Sequence, residues 1–210
     1  HAALRSAMAP WMGTEAVEQQ RRDADAICGR HAARLSRQPF DVYADYAEPL
    51  VVEYLAAWLG VEDSDIRFAT ADQLAAGEMF AAWPPPTTQE LDDHYRGLMA
   101  RPRLGGVAAA ARDLHDRQVV TEREAWGIVY ALSVSAVATA TAITLTTGLS
   151  IEHGLWPQMA DAAEARAAIE EAVRLGSPFP QASRFVREPF TLGDVPVEPG
   201  DQVLMWLTAA

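Results

Sequence analysis

Trp126 to Leu149 reads WGIVYALSVSAVATATAITLTTGL, 24 residues without a single charge. A stretch of that length would cross a bilayer with some tilt, because about 20 apolar residues suffice. Its composition points elsewhere. Ala, Ser, Thr and Gly supply more than half of it, so its transfer to lipid gains far less than that of a Leu/Ile-rich span. The flanking charges Glu122, Arg123, Glu124 and Glu152 are mostly acidic and form no basic cluster to fix an orientation. The expected structure is a long helix buried inside a soluble protein, with the rest of the chain layered around it and no membrane partner.

Working backward, Thr121 with Glu124 three residues on forms a capping box that launches this helix. Val107–Asp116 predicts a short helix, preceded by a loop at Pro102, Gly105 and Gly106. Another helix is predicted from near Thr88 to about Met99. Before it, the triplet Pro84-Pro85-Pro86 imposes an extended stop on a helix that starts at Asp63 or Ser64 and runs through Met79 to Phe80. Upstream, Asp41 can cap DVYADYAEPLVVEYLAAWLG, whose Leu50, Val51, Tyr54, Leu55, Trp58 and Leu59 make a broad apolar face closed by Gly60. The Thr14–Ser36 segment, with Thr14 as its capping residue, reads as a solvent-facing amphipathic helix.

Working forward, helices are predicted over Leu155–Arg166 and Ala167–Leu175, the latter ended by Gly176. From Pro178 the pattern changes to short β-like runs, RFVREPFTL, DVPV and DQVLMWL, separated by Gly193-Asp194 and by Glu198-Pro199-Gly200-Asp201. The fold class is therefore mainly α with a small antiparallel β-hairpin region near the C-terminus.

At 210 residues the chain can form one sizeable core. Its 17 basic and 29 acidic residues give a net charge of −12, which repels nucleic acid and anionic lipid. Cys28 is the only cysteine, so no internal disulfide can form, and with no signal peptide at its start the chain reads as cytoplasmic. The chain begins at His1 rather than Met and stops inside the apolar run QVLMWLTAA, which suggests a piece of a longer protein.

Glu171 and Arg174 lie one helical turn apart in IEEAVRLGSP and can pair. By itself such a pair is an ordinary solvated one. Here it is followed by Pro178, by Arg184, and by a hairpin carrying Leu192, Gly193, Val195, Pro199, Gly200 and Val203. In that order and spacing the segment resembles the cytochrome P450 family, with its Glu-x-x-Arg helix, proline turn, arginine and Gly-rich hairpin. HAALR, with His1 and Arg5 one turn apart, is similar to the family's His-x-x-x-Arg element. The segment from Phe40 to Asp65 resembles the helix pair ending in "LLG-val" of bacterial members. The resemblance covers nearly the whole chain and implies a single partial P450-like domain over residues 1–210, without the family's N-terminal sheet and its haem-ligand loop.

The resemblance also implies roles. The uncharged helix would be the one that crosses the haem face. Counted from its cap, the family's "Ala/Gly-Gly-x-acid-Thr" slot falls on Ser135, Ala136, Val137, Ala138 and Thr139; a count back from Glu171 puts Ala136 in the threonine slot instead. The forward count is preferred because cap and helix form one unbroken element. Thr139 is then the oxygen-activating hydroxyl, against the alternative of a helix threonine bonded to its own i−4 carbonyl. Ser135 and Ala136 would lie against the haem, and His1, Arg5 and Arg184 would neutralise its propionates. Ala131, Val134, Pro180 and Ala182 would line the substrate pocket, and Glu171–Arg174 would be a structural ion pair. No metal ligand is assigned within the chain, since the family's axial cysteine lies downstream of the hairpin and Cys28 sits in an upstream helix. One departure stands out: Ala138 occupies the acid position, and on the other count Ser135 does.

The resemblance implies a segment of a haem-thiolate monooxygenase that inserts oxygen from O2 into a small organic substrate, with haem as its cofactor and a ferredoxin-type electron donor. The missing acid motivates an alternative, a catalytically degenerate P450-like homologue that binds or activates another enzyme. A third reading is a helical interaction domain without haem ancestry. Asp92, Asp93 and His94 are adjacent rather than convergent, His31, His115 and His153 lack partners at ligand spacing, and Gly105-Gly106 reads as a turn.

Overall fold

The computed structural model describes residues 8–35, 39–75, 89–178 and 181–207. His1, Arg5, Met79, Phe80, Pro84–Pro86 and Pro180 lie outside them. The described residues fall into two compact units, one made of residues up to 75 together with 89–140, the other of residues 141–207.

The first unit is helical and is built on α2 (Glu48–Leu59), whose Leu50, Val51, Val52, Leu55, Ala56 and Leu59 are all buried. Each such Leu or Val contributes about 1.5–3 kcal/mol by leaving water. The chain reaches α2 through α1 (Thr14–Arg34), which buries only Ile27 and His31. Gly13, not Thr14, is the N-cap of α1, and no side chain caps it. Asp41 does cap the next segment, accepting from the Ala44 amide at 2.8 Å. Its first turn, Val42–Ala47, is a wide π-turn rather than an α-turn. Pro49 accounts for this in part: it has no N–H for an i−4 bond, so regular α-helix can begin only around it.

Gly60 ends α2 in the left-handed conformation, φ 73°. A Cβ there would lie 2.1 Å from the carbonyl carbon of Gly105, and one on Gly106 (φ 48°) would lie 2.3 Å from the Trp58 carbonyl oxygen. The Gly105-Gly106 pair, expected to be only a turn, is therefore the crossing point at which the chain entering α5 (Gly106–Asp116) touches the end of α2. α3 (Asp63–Ala75) and α4 (Gln89–Met99) complete the layer packed on α6 (Glu122–Ser133). The Thr121/Glu124 capping box of α6 is fully formed.

α7 (Ser135–Glu152) continues α6 after an interruption at Val134. Together Glu122–Glu152 is, among the described residues, the one helix long and apolar enough to cross a membrane by length and composition. Within the described residues the expectation of a deeply buried helix holds for Ala136, Ala138, Ala140, Thr146 and Ser150 of α7; the residues between them are half-buried or exposed.

In the second unit a 3-10 turn at Trp156–Ala160 precedes a single helix, α8 (Ala162–Leu175). The two helices expected here are one because the Asp161 carboxylate caps the amides of Ala163 and Glu164 at 2.9 and 3.0 Å, and no breaker follows at Ala167. The β-region is two antiparallel ribbons rather than one sheet. β1 (Gln181–Phe185) pairs with β4 (Gln202–Trp206), Arg184 opposite Val203. Inside that pair, β2 (Phe190–Leu192) and β3 (Val195–Val197) form a hairpin across Gly193-Asp194. Gly193 takes φ 61° at the first central position of the turn, where a type II′ hairpin places glycine.

Candidate functional site

The slot Ser135–Thr139 opens α7, directly after the interruption. Helical bonding in α6 ends with the Val134 amide donating to the Tyr130 carbonyl at 3.0 Å. Three hydroxyls then compete for carbonyls that a regular helix would offer only to amides. Ser133 Oγ donates to Val129 O at 2.8 Å, Ser135 Oγ to Leu132 O at 2.6 Å, and Thr139 Oγ1 to Ser135 O at 2.9 Å. Back-bonded serines of this kind bend and loosen helices, so the element expected to be unbroken from its cap carries a break one residue before Ser135.

Ser135 and Thr139 lie four apart on one face of α7. Ser135 is half-buried and Thr139 exposed, and Ala131, one turn earlier on α6, is exposed as well. Ala136 and Ala138 are instead packed inward, 4% and 7% exposed. Thr139 and Ala131 are thus open and Ser135 partly so, while Ala136 is packed inward and Val134 is half-buried at the break. The Thr139 proton is committed to the Ser135 carbonyl; its oxygen keeps lone pairs that can accept a further bond.

The α6 turn before the break is held by aromatic and acidic side chains that sequence reasoning did not single out. Tyr130 Oη donates to Asp72 on α3 at 2.8 Å. Tyr95 of α4 is wholly buried, stacked on Trp126 at 5.5 Å and edge-on to Tyr130 at 5.6 Å. Burial raises the Tyr130 phenol and the bond to Asp72 raises it further. Burial likewise raises Tyr95, with the Ser133 hydroxyl moderating it. Behind this layer, Asp65 is 1% exposed. It receives both Arg101 nitrogens at 2.6 and 2.9 Å and the Glu62 amide at 2.9 Å. His94 Nε2 lies 3.0 Å from the same carboxylate but off the line of a hydrogen bond, its ring stacked on Phe68 at 4.0 Å. His31 likewise has a partner, Glu53 Oε2 at 2.7 Å. These histidines find carboxylates 22 and 29 positions away, a distance at which spacing carries no signal.

In the second unit Glu171 and Arg174 make a two-pronged pair at 2.8 and 2.7 Å. The pair is formed as expected, and it is exposed on both sides, 53% and 60%. Arg174 holds the Glu171 carboxyl below its ordinary range. Arg184 is exposed and donates to the Ser183 carbonyl at 2.8 Å; Ala182 is half-buried. Cys28 is half-buried on α1, and burial pushes its thiol up, partly offset by Tyr46. That disfavours the thiolate a metal needs.

No family model matches the chain. Protein AknT of Streptomyces galilaeus is 28% identical over 200 residues, covering 86% of this chain and 45% of its own length. The tirandamycin C-bound P450 monooxygenase TamI superposes on all of this chain with a TM-score of 0.76 at 25% identity, over 54% of its own length. Econazole-bound CYP164A2 of Mycobacterium smegmatis superposes with a TM-score of 0.79 at 22% identity, over 57% of its length. The chain thus spans about half the length of the proteins it matches. Its fold is a P450-like helical domain with β-hairpins near the C-terminus.

Proposed function

We propose that this chain is the central part of a P450-type haem-thiolate monooxygenase that inserts one oxygen atom of O2 into a small organic substrate, fed by a ferredoxin-type electron donor in the cytoplasm. The observation that carries the reading is the superposition of the entire chain, residue order included, on P450 monooxygenase structures. The single partial domain expected over residues 1–210 belongs to the same proposal.

On this reading Ser135 and Thr139 of α7 would meet one face of a haem, and Arg184, with His1 and Arg5, would neutralise its propionates. Bound haem would supply O2 activation. Thr139 would hold a proton at Oγ1 and pass it inward, exchanging its bond to Ser135 O for one to the bound ligand. Ala131, Val134, Pro180 and Ala182 would bound the substrate space; Ala136, packed inward, would contribute by its small size alone. Glu171 and Arg174 would be structural. Cys28 is unsuited as an axial ligand, so the thiolate would come from a Phe-x-x-Gly-x-x-x-Cys-x-Gly loop encoded after this segment.

One observation favours a second reading. Ala138 stands in the acid slot, buried at 7%, so the acid–alcohol pair that the resemblance implies for proton delivery to Thr139 is incomplete. A P450-like protein in that condition would serve as a binding or activating partner of another enzyme. The haem content of the purified full-length protein separates the two. About one haem per chain, retained through gel filtration, supports the monooxygenase; a colourless, folded protein overturns it in favour of the second reading.

A further inference from the structure

α1 is held in a different way from the helix it packs on. Its inner stripe runs Gln20, Ala24, Ile27, His31, at the spacing of one helix face. Of its 21 residues only Ile27 and His31 are buried, at 4% and 6%, so Ile27 is the one large apolar side chain that α1 takes out of water. Both ends of the stripe are polar and find their partners on α2, against which α1 packs. Tyr54 Oη donates to Gln20 Oε1 at 3.1 Å, and Gln20 Nε2 donates in turn to the Trp11 carbonyl at 2.9 Å. At the other end His31 Nε2 lies 2.7 Å from Glu53 Oε2, and Arg30 bonds the second oxygen of the same carboxylate.

Apolar burial is what makes most helices inseparable from their core. α2 commits six side chains to it, whereas α1 commits one. The polar contacts near the surface exchange for water when the helices part and gain little; Arg30 is half exposed. His31 is the exception, because a buried imidazole left without its carboxylate bears its full desolvation penalty. Glu53 therefore decides more of the docking than its own partial exposure suggests.

We propose that α1 is a strap that lifts off α2 as a unit while the rest of the first unit stays folded, with the Glu53 carboxylate as its latch. Partial openings of this kind belong to the low-energy excursions of a native protein. The lifted state uncovers Glu53 and Tyr54 on α2 and frees Cys28, half-buried on α1 beside Tyr46, for reaction with a thiol reagent. The strap is independent of both readings of the chain's function, and its failure would leave both standing.

Two readouts on the purified protein test this: amide hydrogen exchange at several urea concentrations below the unfolding transition, and labelling of Cys28 followed by peptide mass spectrometry. Amides of residues 24–31 should exchange faster than those of residues 51–59 and with a weaker urea dependence, the mark of a partial opening. E53Q should speed exchange over residues 24–31 and labelling of Cys28 by about tenfold, the weight of roughly one charge-assisted bond, and leave residues 51–59 unchanged. H31A should act at least as strongly, and E53Q should add little on top of it, because the two side chains form one contact. A single urea dependence shared by α1 and α2 overturns the proposal. So does E53Q speeding both helices alike, which would make Glu53 an ordinary stability residue, or E53Q leaving residues 24–31 and Cys28 as they are in the wild type.

Discussion

Asp65 is the residue on which the first unit depends most. Its carboxylate is buried, carries Arg101 in a two-pronged bond and caps the entry to α3 through the Glu62 amide. Arg112 holds the Arg101 carbonyl at 2.5 Å, so α5 is tied to the same centre. Asp65→Ala removes the two-pronged partner of Arg101, which is one-third exposed and keeps Glu62 at 3.8 Å, and leaves the Glu62 amide unpaired; it should cost about 1–3 kcal/mol, measured by urea unfolding, and an unchanged stability would contradict the assignment. Glu53 is a milder case. Arg30 and His31 hold its carboxyl below its ordinary value of 4.5. A depressed folded pKa means the stabilisation is present above the unfolded value and fades as pH falls through the folded one. Below about pH 4.5 the stability of the wild type should therefore fall more steeply than that of E53Q, in unfolding curves taken across pH 6 to 3. Neither residue was legible in sequence, because partners 36 and 22 positions apart leave no local pattern.

Element ends were the most legible part of the chain, since caps are local chemistry. Gly60, Asp41 and the Thr121/Glu124 box all perform as their residue types dictate. Thr121→Ala removes the oxygen that accepts from the Glu124 amide at 3.2 Å and should cost about 1 kcal/mol, read as a shift in the urea midpoint. Gly60→Ala combines a strained positive φ with a Cβ 2.1 Å from Gly105 backbone. It should lose more than the 1–3 kcal/mol typical of strained backbone, and its control is Gly97→Ala, a glycine with no atom near its Cβ site. Equal stabilities for the two would contradict the crossing. Apart from the cap of α1, which falls on Gly13 rather than Thr14, the misses were breaks and fusions inside apparently uniform runs. The π-turn at Val42–Ala47 and the interruption at Val134 arise where a proline or back-bonding hydroxyls outcompete regular bonding. The merging of two expected helices into α8 arises from Asp161, which sequence alone leaves as one acid among several.

At the scale of the molecule, the fold was readable because the Glu-x-x-Arg helix, the arginine and the Gly193–Gly200 hairpin occur in a fixed order that composition could not supply. The candidate site was readable only in part. Spacing placed Ser135 and Thr139 on one face, but it could not say that Ala136 turns inward or that Tyr95 and Asp72 brace the helix from behind. Ala138 keeps the chemistry and the fold separable: the helix is present, and on the proposed alignment an alanine stands where the family has its acid. Restoring it by A138D in the full-length protein should raise the share of consumed O2 that appears as oxidised product, if Thr139 carries the relay. The most direct measurement of the central claim is the carbon monoxide difference spectrum of the dithionite-reduced full-length protein. A Soret band at the red-shifted position of thiolate-ligated haem is the predicted result; the absence of a haem spectrum, or the band of a histidine-ligated haem, would contradict it.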